Sequence, residues 1–167
     1  RQTSPNWVIV PLILPYMDEP VVYGMYDFSQ PWDSPQNMQV LEMMPEVYRC
    51  ASEDESSSTT SYAAVFGPDC VFRGGESTRI RDVVDGLSNT FLVGEVSGHS
   101  IPWTKPEDVD VTVHPNIGDP GGFSDRHRGG CHFLLGDGSA RFIPGEFSEE
   151  SLRGFYTRAG GEIILEY

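Results

Sequence analysis

Lysine is almost missing from this sequence: Lys105 is the single one among 167 residues, and 11 basic side chains face 25 acidic ones. The resulting formal charge of −14 repels a phosphate backbone, which argues against nucleic acid as a partner. Long apolar runs are missing too. The longest, Val8 to Leu14, is about seven residues and is interrupted by Pro11, whereas about 20 are needed to cross roughly 30 Å of hydrocarbon. Arg1-Gln-Thr-Ser-Pro5 has no apolar region of the secretory-signal kind behind it. With no initiator Met, the chain reads as a mature or trimmed product.

Cysteine is scarce. Cys50, Cys70 and Cys131 show no C-x-x-C spacing, which argues against a zinc cluster. Either one disulfide and a thiol, or three thiols, satisfy the count. In an oxidising compartment the preferred pair is Cys50–Cys70, which closes a Ser/Thr-rich loop of 19 residues and would stabilise by about 3 kcal/mol in the chain-entropy picture.

Leu, Ile, Val and Phe make up about a quarter of the chain, above the range in which chains stay disordered, so a packed core is expected. Eighteen glycines and 13 prolines disfavour long helices and favour a loop-rich body. Trp7 to Tyr16 is nearly all apolar and reads as buried, with Pro11 and Pro15 breaking any regular element. Short helices are expected over 18–26, over 35–44 behind Ser34 and Pro35, and over 79–85 stopped by Gly86. A longer one is expected over 148–157 behind Ser148. Strands are expected at 62–66, 90–96 and 108–113, a short strand or extended segment at 46–50, and a terminal apolar strand or tail at 163–165. The plainest signal is a hairpin, Cys131–Leu135 and Ala140–Ile143, turning on Asp137-Gly138. The 52–61 stretch (SEDESSSTTS) reads as an exposed polar loop. With no internal repeat, residues 1–167 read as a single α+β domain: an antiparallel sheet with short helices and long loops.

Chemistry is sparsely signalled. His99, His114, His127 and His132 form no i, i+4 ligand pair, and no P-loop, nucleophile elbow or dinucleotide fingerprint occurs. An enzyme is not indicated. Glu107, Asp108, Asp110, Asp119 and Asp125 offer oxygen ligands to Ca²⁺ in Gly/Pro-rich loops, but EF-hand spacing is absent and solvated charge is the better explanation of them. Trp7 and Trp32 read as packing residues. Trp103, in Ile-Pro-Trp-Thr-Lys-Pro, is the candidate for an exposed aromatic contact with a ligand such as a glycan.

The C-terminal third is more specific. In SDRHRGGCHFLLGDGSARFI, His127 is followed after nine residues by Asp137-Gly138. Other blocks fall in order around it: Trp7 with Leu14-Pro-Tyr16, Pro31-Trp-Asp33, Tyr48-Arg-Cys50, Thr60-Ser-Tyr62, Asp85-Gly-Leu-Ser-Asn-Thr90 before a strand ending Gly94-Glu95, and Leu152 with Thr157-Arg-Ala-Gly160. Together they resemble pilin-like and pseudopilin-like bacterial proteins that carry the prepilin-associated H-X9-DG domain, a domain of unknown function whose motif region here spans 123–143. The resemblance covers about residues 7 to 162 and departs at Ala51, where family members often carry Pro after the cysteine.

The resemblance implies a non-enzymatic structural subunit of a type II secretion or type IV pilus-like system. It implies a hydrophobic helix outside these 167 residues that anchors the subunit in the inner membrane and builds a homo-oligomeric filament. The globular part would face the periplasm or the exterior of the bacterial cell envelope. The alternative is an extracytoplasmic module that binds calcium, a glycan or a secreted protein. A hydrolase using His127 with a carboxylate ranks third. In the hairpin, a strand rising about 3.3 Å per residue sets Asp137 more than about 15 Å from its start. His127 and Asp137 therefore form no dyad unless the 123–130 loop folds back. Asp137-Gly138 reads as turn chemistry, Asp85-Gly86 and Asn89 as a helix stop with an Asx turn, and His127 as a pin for its loop.

Overall fold

A computed structural model describes residues 9–52, 58–96, 98–124 and 129–162. Trp7, Asp125, His127, the strand or tail expected at 163–165 and part of the polar loop lie outside the described residues. The chain forms two compact units, one of residues 1–61 and 99–107, the other of residues 62–98 and 108–167.

The first unit is helical and irregular. Helix α1 (Ile9–Ile13) tightens into a 3-10 turn at Leu14–Tyr16, and α2 (Pro20–Met25) and α3 (Asn37–Leu41) follow. Pro11 sits within α1, contrary to the expected break, and Pro15 lies in the first turn of the 3-10 segment. Nor is this stretch wholly buried: Pro11 and Leu14 point inward, while Tyr16 is exposed. Helix α2 begins on Pro20, whose fixed φ suits a first helical position. Ser34 Oγ accepts the Asn37 N–H at 3.2 Å, so Ser34 does serve the start of α3, but the helix ends at Leu41, earlier than expected. Residues 46–48 form a 3-10 turn in place of the expected strand or extended segment. The core comprises Leu14, Val22, Tyr26, Val40, Leu41, Tyr48 and Trp103.

The second unit holds a five-stranded sheet ordered β3-β1-β2-β4-β5, from β1 (Tyr62–Phe66), β2 (Phe91–Glu95), β3 (Val109–Asp110), β4 (Gly130–Leu135) and β5 (Ala140–Pro144). The α+β class holds, with one correction: the sheet is mixed, because β3 pairs parallel with β1 while the other neighbours are antiparallel. The alternating Asp/Val run at 108–113 yields only two strand residues. Asp110 then turns the chain, its carboxylate accepting the Thr112 N–H and O–H. The hairpin forms as expected, and β4 directs Cys131, Phe133 and Leu135 inward and His132 and Leu134 outward. Residues 80–82 make a 3-10 turn where a longer helix was expected, and Gly86 takes the left-handed backbone, φ +95°.

Helix α4 (Glu149–Tyr156) starts at Ser148, whose side chain accepts the Ser151 N–H. It presents Leu152, Phe155 and Tyr156 to the core. There Phe91 stacks between Phe133 (ring centroids 4.2 Å apart) and Phe155 (4.6 Å), and Phe123 meets Phe133 edge-on at 5.0 Å. Gly94 makes room for these rings: a Cβ there would stand 2.5 Å from Phe123 and 2.6 Å from Phe133. Among the described residues no helix is long and apolar enough to cross a membrane.

Candidate functional site

Three separate sequence blocks converge in the sheet unit. Asp85 lies beyond the 80–82 turn, and its Oδ2 accepts the Gly160 N–H at 2.7 Å and the Thr157 hydroxyl at 3.2 Å, while Oδ1 accepts the Gly161 N–H at 2.9 Å. The backbone reinforces this contact, since Val84 and Asp85 both donate to the Arg158 carbonyl. Asn89 Nδ2 donates back to the Asp85 carbonyl, and Thr90 Oγ1 to that of Gly86. The third block closes from the other side, where Gly136 N–H donates to the Thr90 carbonyl and Asp137 N–H to that of Leu87.

Asp137 itself caps its turn. One carboxylate oxygen accepts both the N–H (2.9 Å) and the hydroxyl (2.7 Å) of Ser139, and these bonds hold the Asp137 carboxyl below the ordinary carboxylate range. Gly138 follows at φ +86°. Asp85, Gly86, Asn89, Asp137 and Gly138 thus form one neighbourhood in which the carboxylates fasten loops. His127 lies outside the described residues.

A pair that the sequence reading did not find joins β2 to β4. Glu95, nearly buried, accepts the His132 backbone N–H at 2.9 Å, and the same oxygen lies 3.0 Å from His132 Nδ1. The half-exposed imidazole lies edge-to-face with Phe142, ring centroids 5.1 Å apart. A carboxylate in this place orients an imidazole ring, the arrangement that second partners give to working histidines and that also ties strands. The signal is present in part: Gly94-Glu95 ends one of the blocks, and period-two alternation along 131–135 would set His132 on the face opposite Cys131 and Phe133. Histidine spacing alone concealed it, because the partner is 37 residues away.

Next to the Asp85 neighbourhood the sheet unit holds a cavity of about 240 Å³ whose lining includes Pro68, Cys70, Val111, Pro115, Tyr156 and Thr157. Burial pushes the Cys70 thiol up to about 12, helped by the Asp69 and Asp110 carboxylates, so it stays protonated at neutral pH. The phenol oxygen of Tyr156 is buried without a hydrogen-bond partner, and burial raises its pKa.

Several expected contacts are corrected. Trp103 is not an exposed contact: it is 0 % exposed, stacks on Tyr48 at 5.8 Å and donates its indole N–H to the Leu41 carbonyl at 2.9 Å. The cause is tertiary, since Thr60 donates to the Ile101 carbonyl and Trp103 to that of Ser58, drawing the 101–103 segment into the helical core. Cys50 and Cys70 are not bridged; they belong to different units, and Cys70 packs inside its own.

The expected calcium ligands do not assemble either. Among the described residues no group of three metal-binding side chains converges. Glu107 pairs with Lys105, Asp108 accepts the Ala64 N–H, Asp110 serves Thr112, and Asp119 accepts the Asn116 N–H. Asp125 lies outside the described residues.

These observations define an α+β protein whose recognisable polar residues hold backbone together. The family described as a protein of unknown function (DUF1559) matches residues 1–71 and 54–120, and the chain belongs to it. The matched residues include the Asp85–Thr90 block. No curated protein and no solved structure matches the chain.

Proposed function

We propose that this chain is the globular part of a non-enzymatic, pilin-like or pseudopilin-like structural subunit. It would serve a type II secretion or type IV pilus-like system on the periplasmic or outer side of a bacterial cell envelope. One observation carries the reading: Asp85, Gly86, Asn89, Asp137 and Gly138, the described residues among the motif positions it rests on, serve backbone geometry. Asp85 bonds three groups of the 157–161 loop and Asp137 bonds its own turn, as suits a domain whose task is to hold a shape. Assembly would run through a hydrophobic helix ahead of Arg1. The binding-module alternative would need contacts other than Trp103, which is buried.

The test is to sequence the native reading frame upstream of Arg1. The reading expects a short basic leader, a small-residue cleavage site, a Glu soon after it, and about 20 apolar residues. An ordinary cleavable signal with no retained apolar helix would overturn it.

A further inference from the structure

The sheet unit carries an apolar projection beside an acidic-rimmed hollow. Ile80 and Val84 are 77 % and 75 % exposed, and Arg79 and Arg81, both exposed, flank Ile80. Two β-branched side chains thus stand out of a strongly acidic molecule within five residues of chain. The projection is stiff. Asp82 accepts the Arg79 N–H at 3.0 Å, Asp82 and Val83 donate to the Arg79 and Ile80 carbonyls, and Val84 donates to Arg158. Docking it would cost little ordering entropy.

The hollow is the cavity of about 240 Å³. Pro68, Val111 and Pro115 supply apolar wall, and the exposed side chains of Asp69 and Glu149 supply negative charge. The remaining basic side chain of the lining, Arg153, already faces Glu162 at 3.4 Å. An aliphatic side chain flanked by arginines suits this hollow in its apolar wall and in sign.

Projection and hollow are neighbours, fastened through one residue. The Arg158 carbonyl receives the Val84 N–H, its N–H donates to the Asp69 carbonyl, and its guanidinium donates to the carbonyls of Pro68 and Cys70. A knob and its matching hole side by side make a self-complementary patch, which is what a two-fold axis requires: knob into hole, twice. We propose that a second copy of this chain docks here, Ile80 of each entering the cavity of the other while Arg79 and Arg81 meet Asp69 and Glu149. The overall charge of −14 opposes any dimer, so the two arginines sit where they would relieve it, although Arg81 also lies 3.9 Å from its own Asp82. The proposal does not rest on the filament reading, since it uses only this surface.

Sedimentation equilibrium of the 167-residue chain tests it. A monomer–dimer equilibrium is expected. Ile80→Asp should weaken it at least about tenfold with melting temperature unchanged, and Thr112→Trp, filling the hollow from its exposed rim, should weaken it as much while also giving up the Thr112 hydroxyl's bond to Asp110. Reversing both arginines (Arg79→Glu with Arg81→Glu) should weaken it, and so should reversing both carboxylates (Asp69→Lys with Glu149→Lys). An equimolar mixture of those two variants should recover dimer, because both contacts are then opposite in sign. A monomer at every concentration, open-ended chains, or a dimer indifferent to Ile80→Asp and Thr112→Trp would each overturn the proposal. Since no upstream helix takes part, such a failure leaves the filament reading standing, and loss of the filament reading leaves this one testable.

Discussion

In the helical unit, side chains take over work that backbone ladders do in the sheet unit. Asn37 is fully buried: its Oδ1 accepts the Asp27 N–H, and its Nδ2 donates to the carbonyls of Asp27 and Pro31. Tyr48 donates its hydroxyl to the Val10 carbonyl, and Trp103 its indole to Leu41. The helices there are five to six residues long, too short to satisfy their own ends, so buried amide, phenol and indole groups do it. In the sheet unit, four strand pairings satisfy the backbone, and the interior is left to a stack of phenylalanines. The first unit should therefore fail through one polar-aromatic anchor, the second through packing.

Trp103→Ala should show the largest effect. It opens a cavity beside Tyr48 and strands the Leu41 carbonyl, at a cost of about 4 kcal/mol. Amide hydrogen exchange should lose protection at Val40 and Leu41 while β4 amides keep theirs; simultaneous loss in both units would break the comparison. Gly94→Ala is the counterpart in the sheet, forcing a methyl against Phe123 and Phe133 at about 2–3 kcal/mol. Chemical denaturation should report it, with β2 and β4 exchanging first.

Asp85→Ala removes acceptors for Thr157, Gly160 and Gly161 and should cost about 1–2 kcal/mol. Asp85→Asn should recover part of this, because its carbonyl oxygen still accepts. A neutral Asp85→Ala in the same denaturation assay would remove the clasp from the argument.

The smallest effect concerns acid. Asp137 is depressed by its bonds to Ser139, so its contribution is present above the ordinary carboxylate value of about 3.9 and disappears as pH falls through the lower folded value. Ser139→Ala should raise the Asp137 pKa in an NMR titration and flatten the acid limb of stability. An unmoved titration would show that other groups depress it.

The hairpin, its Asp-Gly turn, the Ser148 cap and the left-handed Gly86 were legible because each arises among residues a few positions apart, where steric and hydrogen-bonding preferences act before any fold exists. Net charge and composition are likewise read directly off the chain. The parallel pairing of β3, the burial of Trp103, the Glu95–His132 pair and the hold of Asp85 on Gly160 and Gly161 were not legible. Each joins groups 37 or more residues apart, and nothing local distinguishes an indole facing solvent from one facing a carbonyl. The sequence by itself determined the turns, the caps and the acidic character of this protein. Only the tertiary structure decided which polar groups meet, because a buried donor or acceptor must find a partner and any of many distant ones would satisfy it.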